Sequence, residues 1–270
     1  MKSLKIFVSV LAVASLFVVN ASASDRVSKY VSDDMIKTIV ERNLAKQHLL
    51  NGKDVSVQVS VDDRVVTLTG TVPSLKMARD VEKHAWKAKN DVRVENRLTV
   101  YAPSRTDEQI ATDVSSAIRR YPFYNIFDWV EGKVSNGVVT LTGAVRQPWR
   151  KTDYEKIVEE VVGVKQIDNE LRPLPLSTFD DDLRAKAAAA IYREPTLRKY
   201  AYQANPPIHV IVENGKVRLE GIVATPMERQ IAETAVRTQI MAFEVMNALQ
   251  VEQNRNGSSA QLSMLDQARR

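Results

Sequence analysis

The chain of 270 residues contains no cysteine. Disulfide staples, thiol nucleophiles and cysteine zinc sites are thereby excluded together, and stability has to come from packing alone. Only three histidines are present, His48, His84 and His209, far apart and without ligand spacing, so no metal site is expected. No Gly-x-Ser-x-Gly elbow and no glycine-rich phosphate loop occurs, so neither a cofactor nor a small-molecule substrate is expected. Acid pairs such as Asp33-Asp34 and Asp181-Asp182 stand where helices should start, which accounts for them without catalysis. Beyond Val19 no stretch is apolar enough to span a bilayer.

A surface of one sign is also missing. The formal net charge is +5, of which Lys2 and Lys5 lie in the first few residues. Residues 30–101 carry 12 basic and 10 acidic side chains, residues 102–174 carry 10 and 11, and residues 175–253 carry 9 and 10. Each segment is close to neutral. A nucleic-acid binder gathers its basic residues on one face, and nothing gathers them here, so nucleic acid is not an expected partner.

What the chain does have begins with Lys2 and Lys5, an apolar run from Ile6 to Val19 and a small-residue close at Ala21-Ser22-Ala23. That is the anatomy of a secretory signal peptide, residues 1–23, and it predicts export to a periplasmic or other envelope location.

A strand grammar then occurs three times, as Arg64-Val65-Val66-Thr67-Leu68-Thr69-Gly70-Thr71-Val72, Gly137-Val138-Val139-Thr140-Leu141-Thr142-Gly143-Ala144-Val145 and Gly215-Lys216-Val217-Arg218-Leu219-Glu220-Gly221-Ile222-Val223. Apolar and polar positions alternate in each, as in a half-buried strand. Gly70, Gly143 and Gly221 break the β-propensity at the same step, which predicts a bulge or a close approach by a helix. A short alternating run precedes each copy and is joined to it by a tight turn. Asn136-Gly137 and Asn214-Gly215 suit a two-residue hairpin. The first copy has Arg64 in place of the glycine, which points to a longer turn or another type.

Helical stripes flank every hairpin. Ile36/Val40/Leu44, Ile110/Val114/Ile118 and Leu183/Ala187/Ile191 each follow an acidic start and share one helix face. A second helix follows the hairpin, and each copy closes with a strand containing Asn96, Asn169 or Asn247. From the glycine to the asparagine the spacing is identical in all three copies. The fold class is therefore α+β: three tandem αββαβ domains, each a three-stranded mixed sheet covered on one face by two helices. Their bounds are 30–101, 104–174 and 178–252, with short stiff joints at 101–104 and 172–177 and a flexible tail at 253–270. The shared glycines and asparagines are read as holding the fold.

This arrangement, with its Gly-x-Val-x-Leu-x-Gly-x-Val core at 137–145 and 215–223 and its closing Val-x-Asn-x-Leu strands, resembles the BON domain of bacterial envelope proteins. The second copy is the most faithful, through Gly163-Val164-Lys165-Gln166-Ile167-Asp168-Asn169. The resemblance implies an envelope protein that binds phospholipid surfaces or other envelope components, often under osmotic stress, and it implies no catalysis.

Where the threefold pattern breaks, function is expected. Tyr121, Phe123, Tyr124, Phe127 and Trp129 fall within nine positions of the second copy, next to Arg119 and Arg120. Trp149 stands beside Arg150 and Lys151, where the other copies have Lys76 and Met227. Rings with cations suit an anionic phospholipid surface, and they suit a protein interface equally. The candidate lipid- or partner-binding residues are Arg119, Arg120, Tyr121, Phe123, Tyr124, Phe127, Trp149, Arg150 and Lys151. Two functions follow: peripheral docking on phospholipid, or a chaperone-like module for envelope or exported proteins. In either case the rings could instead be core.

Overall fold

A computed structural model of the chain describes residues 31–50, 52, 54–88, 92–101 and 105–252. The leader at 1–23, the tail from 253 and most of the first joint lie outside the described residues.

Each copy is an αββαβ unit. The first has α1 (Asp33–Lys46), β1 (Ser56–Asp62), β2 (Val65–Val72), α2 (Leu75–Trp86) and β3 (Arg93–Val100). In the second are α3 (Asp107–Arg119), β4 (Trp129–Ser135), β5 (Val138–Val145), α4 (Pro148–Glu159), β6 (Gln166–Asn169) and β7 (Arg172–Pro173). The third has α5 (Thr178–Arg193), a short α6 (Arg198–Ala201), β8 (Ile208–Glu213), β9 (Lys216–Val223), α7 (Pro226–Gln239), β10 (Glu244–Asn247) and β11 (Gln250–Val251). The hairpin strands are antiparallel and the closing strand is parallel to the central one. In the second and third copies that closing strand is broken in two, so those sheets count four strands. The break falls just after Asn169 or Asn247, whose side-chain oxygen accepts the amide two residues on at 3.3 and 3.2 Å; Asn96 does the same at 3.1 Å inside the unbroken β3, so this bond is not what breaks the strand.

The helical stripes land where their period puts them. Ile36, Val40 and Leu44 are buried against Val66 and Leu68; Ile110, Val114 and Ile118 meet Val139 and Leu141; Leu183, Ala187 and Ile191 meet Val217 and Leu219. Five of the helix starts are capped by hydroxyls rather than by the acids alone, while α4 begins on Pro148 without a side-chain cap. Ser32, Ser74, Thr106, Ser177 and Thr225 each accept an amide of the first turn, and Gln109 and Glu228 complete capping boxes. The acids do a further job. Asp107 accepts the Asn136 and Gly137 amides at 2.6 and 2.9 Å, and Asp180 accepts those of Asn214 and Gly215 at 2.9 and 2.8 Å. One carboxylate thus ties the helix start to the hairpin turn.

The first copy does the same with Asp33 on the Arg64 amide, 3.2 Å away. Its turn is neither longer nor of another type. Asp62 pairs with Val65, leaving the two residues Asp63 and Arg64 at φ 43° and 63°, the same left-handed pair as Asn136-Gly137 at 54° and 80°. Arg64 therefore holds a conformation that glycine adopts without a side-chain clash. Arg64→Gly is expected to stabilise the first hairpin by about 1 kcal/mol, because it keeps the amide that Asp33 needs. Amide hydrogen exchange across β1 and β2 should slow by about fivefold, and faster exchange would contradict this account.

The three glycines on the central strands share one geometry. Gly70, Gly143 and Gly221 have φ of 114°, 119° and 120°. A Cβ at these positions would stand 1.8, 2.1 and 1.8 Å from the carbonyl oxygens of Ser56, Trp129 and Pro207. The close approach comes from the neighbouring strand, not from a helix.

Candidate interaction surface

The aromatic segment 121–129 divides between two environments. Its second half turns inward, into a joint between the second and third domains. Asp128 is fully buried, and its carboxylate accepts the Arg146 amide at 2.7 Å, the Tyr154 hydroxyl at 3.2 Å and the guanidinium of Arg150. Burial pushes its carboxyl pKa up, and these donors pull it back. The Ile126 carbonyl accepts the Val210 amide at 2.8 Å, extending the edge of β8 across the domain boundary. Beneath this, Trp129, Ala144, Leu174 and Ile211 form a small apolar cluster of their own. Phe127 packs on the third core, and Tyr124 reaches His209 at 3.3 Å.

The rim of the joint is charged. Arg146 meets Asp181 at 3.1 Å and Arg172 forks onto Glu213 at 3.2 and 3.3 Å. The Arg146 guanidinium holds the Asp181 carboxyl below the usual carboxylate range. Residues 172–174, the first half of the joint at 172–177, belong to the fold of the second domain, while Leu176 beyond them is 75% exposed. Arg172 and Pro173 pair with β5 and Leu174 is buried.

The other candidate residues lie outside this joint. Phe123 and Trp149 are 62% and 59% exposed. Tyr121 supports Phe123: its ring meets that ring at 5.6 Å and Tyr154 at 5.2 Å, edge to face, and its hydroxyl donates to Asp153 at 2.5 Å. Burial raises its pKa to about 12. Trp149 lies one turn before Asp153 on α4, which puts it on the same side of the domain. Arg120 is exposed and Lys151 half-buried. Arg119 lies half-buried against Ser115 and Ser116. Arg150 does not belong with this group, because its guanidinium is turned into the buried Asp128 carboxylate and is not presented to a ligand. In the third copy Tyr200 is buried on Glu228, and Tyr202 is 81% exposed.

Asn96, Asn169 and Asn247 make one repeated network. The side-chain amide of each donates to a helix carbonyl, that of Ala78, Lys151 or Arg229, at 3.4, 2.9 and 2.9 Å. It also donates to a glutamate, Glu82, Glu155 or Glu233, at 2.9, 3.0 and 3.1 Å. Each pins the closing strand to the second helix of its own domain. The glutamates were not among the residues singled out from the sequence. They lie fourteen positions before the asparagine in every copy, so a second register comparison would have found them.

Among the described residues no group of three or more histidines, cysteines or acids is placed to hold a metal ion, and no helix is long and apolar enough to cross a membrane. The chain is a modular α+β repeat protein whose distinctive features are a buried joint and two exposed rings of its second domain. It belongs to the BON domain family, whose model matches residues 32–102, 106–174 and 180–253. It is 27% identical over 157 residues to osmotically-inducible protein Y of Escherichia coli, covering 56% of this chain and 77% of that protein. Among solved structures, the C-terminal domain of CdsD, a structural protein of the type III secretion system of Chlamydia trachomatis, is 11% identical with a TM-score of 0.24, covering 82% of this chain and 99% of that one. The PrgH periplasmic domain is 12% identical with a TM-score of 0.20, covering 78% and 99%. Neither likeness is close enough to carry an argument.

Proposed function

We propose that this is an exported envelope protein, active in osmotic or envelope stress, that docks peripherally on anionic phospholipid through its second domain. The observation that carries this reading is the exposure of Phe123, held by Tyr121 against Tyr154 and Asp153, and of Trp149 on the helix that carries those two residues. Large rings held out from a rigid support enter the headgroup layer with little ordering cost, and the exposed Arg120, three residues before Phe123, meets lipid phosphates. Burying two such rings contributes about 3–5 kcal/mol, modest for one site, and linked domains add avidity. The stress context is supported by the name of the E. coli relative.

The test is co-sedimentation of the chain from residue 24 with neutral and with anionic liposomes, beside a Phe123→Ser/Trp149→Ser variant. Tyr124 stays intact, because its hydroxyl serves the buried joint. The intact chain should bind anionic vesicles, and the variant should lose about a hundred- to a thousandfold or more in affinity at unchanged circular dichroism. An intact chain that ignores anionic vesicles at low salt removes this reading.

One observation favours a second reading, a chaperone-like protein-interaction module. Phe179, Met241 and Phe243 are 49%, 92% and 78% exposed on the third domain, with the two phenyl rings 6.1 Å apart. Lys216 on the adjacent hairpin is paired with Glu244 at 2.9 Å, so this apolar patch suits a protein client better than a phosphate surface. Binding of an unfolded client that is indifferent to lipid headgroup, and that weakens in Phe243→Ser, would decide for it.

A further inference from the structure

The sheet of the third domain has two faces. Ile208, Val210 and Val212 point from β8 into its own core, while His209 and Ile211 point the other way, against the second domain. His209 is 1% exposed there. Its Nδ1 lies 2.6 Å from the Asp128 carbonyl oxygen, which can only accept, so Nδ1 carries the hydrogen. Nε2 is then the lone-pair nitrogen and accepts from the Tyr124 hydroxyl at 3.3 Å. The ring of Trp129 closes over it, edge to face, at 5.2 Å. The imidazole is fully bonded as a neutral ring and has no place for a second hydrogen.

We propose that the joint between the second and third domains is an acid-released latch in which the His209 imidazole is the proton acceptor: the joint holds while the ring is neutral and opens when it gains a proton. Protonation puts a new N–H on Nε2, facing a hydroxyl that was donating to it, and places a charge where no water reaches. Swinging the domains apart rehydrates the ring and leaves Ile208, Val210 and Val212 packed in their own core. Opening of the joint is therefore the response, not unfolding of the third domain.

The direction follows from linkage. Burial lowers the His209 pKa from 6.5 to about 4. Between those values the open form binds more protons than the closed form, so closure is at full strength above pH 6.5 and is lost as pH falls toward 4. The difference corresponds to about 300-fold in the closure equilibrium. Other charged groups face the ring. Asp128 and Tyr124 do so from the aromatic segment, Arg150 and Tyr154 from α4 through Asp128, and Arg119 from α3 beside Tyr124. On β9, Glu220 is the cross-strand partner of His209, paired with Arg218 and repelled by Glu131 of β4. Burial raises the carboxyl pKa of both Asp128 and Glu220, so these two groups favour the closed form in acid and oppose release. The contrast between the parent and a His209 variant isolates the histidine.

Because the chain has no native cysteine, labels can be placed at will. Spin labels on Lys156→Cys and Gln203→Cys, both exposed, report the distance between the second and third domains in the full chain. From about pH 7.5 to about pH 3.5 the parent should gain a second, broader distance population, with far-ultraviolet circular dichroism unchanged. His209→Asn keeps an N–H for the Asp128 carbonyl and does not titrate, so it should hold one distance throughout. Tyr124→Phe removes the bond that favours the neutral ring, and its release should move up by about one pH unit. The latch is overturned by a parent that keeps one distance down to about pH 3.5, by release at the same pH in His209→Asn, by an unmoved midpoint in Tyr124→Phe, or by a His209 ring resonance titrating near 6.5.

Discussion

Gly221→Ala is expected to strip the third domain of most of its stability in an otherwise folded chain, leaving it about 1 kcal/mol from unfolding. At φ 120° the residue lies in a region that only glycine occupies, which alone costs about 1–3 kcal/mol. The added methyl would also stand 1.8 Å from the Pro207 carbonyl oxygen and 3.0 Å from its carbon, backbone atoms of the paired strand that have no rotamer to change. Relief requires β8 and β9 to part where Ile208 faces Gly221, and that loosens Leu219 and Val210 in the core. The total comes to about 4 kcal/mol, against about 5 kcal/mol for a small domain. Hydrogen exchange on the full chain should show protection lost across β8, β9 and α7 while β1 and β2 keep theirs. Gly137→Ala provides the scale. At φ 80° its methyl would lie 3.0 Å from the Gly163 carbonyl oxygen and otherwise against the flexible Lys165 side chain, so a loss of about 1–2 kcal/mol is expected. Equal effects from the two substitutions would show that left-handed backbone, and not the facing carbonyl, sets the cost.

The fold was legible because it is written three times. A single Val-Thr-Leu-Thr-Gly run fits many strands, but three in register, each followed at one fixed distance by an asparagine, fix the unit and its topology. What stayed hidden is instructive about why. The sequence marks Gly143 as a place where the backbone is constrained, but not that the constraint is the Trp129 carbonyl across the hairpin, because that depends on strand register. Arg64 concealed its left-handed turn, since arginine says nothing of φ; the clue was its position opposite Gly137 and Gly215. The site was less legible still. Tyr121, Phe123, Tyr124 and Phe127 are alike in composition, and only the fold separates Phe123, left exposed, from Phe127, packed on a neighbouring domain. His209 occurs in one copy alone, and its partner Asp128 is 81 positions away in another. Repetition reveals what the copies share, and the joint is made of residues they do not share.

That joint should prove to depend on Asp128. Its carboxylate is the common acceptor for the Arg150 guanidinium, the Arg146 amide and the Tyr154 hydroxyl, and its own carbonyl receives His209. Asp128→Ala removes one charge of a pair in which the aspartate is fully buried and the Arg150 side chain 9% exposed. The remaining guanidinium would then be left with neither water nor counter-ion. Breaking a buried pair from one side costs about 3–5 kcal/mol, comparable with what the joint's few apolar contacts contribute. The expected result is early loss of protection at the Val210 amide, bonded to Ile126 across the boundary, while the second and third cores persist. The double variant Asp128→Ala/Arg150→Met separates the two possible origins of that cost. It removes the stranded cation along with its partner and fills much of the space with an apolar chain, so it should recover about 2 kcal/mol relative to the single variant. If the double variant is no better than Asp128→Ala, the loss lies in the unmet Arg146 amide and Tyr154 hydroxyl, and Asp128 serves as a hydrogen-bond acceptor more than as a counter-ion. Should neither variant change Val210 protection, the Trp129, Ala144, Leu174 and Ile211 cluster holds the domains together without help from the buried charge.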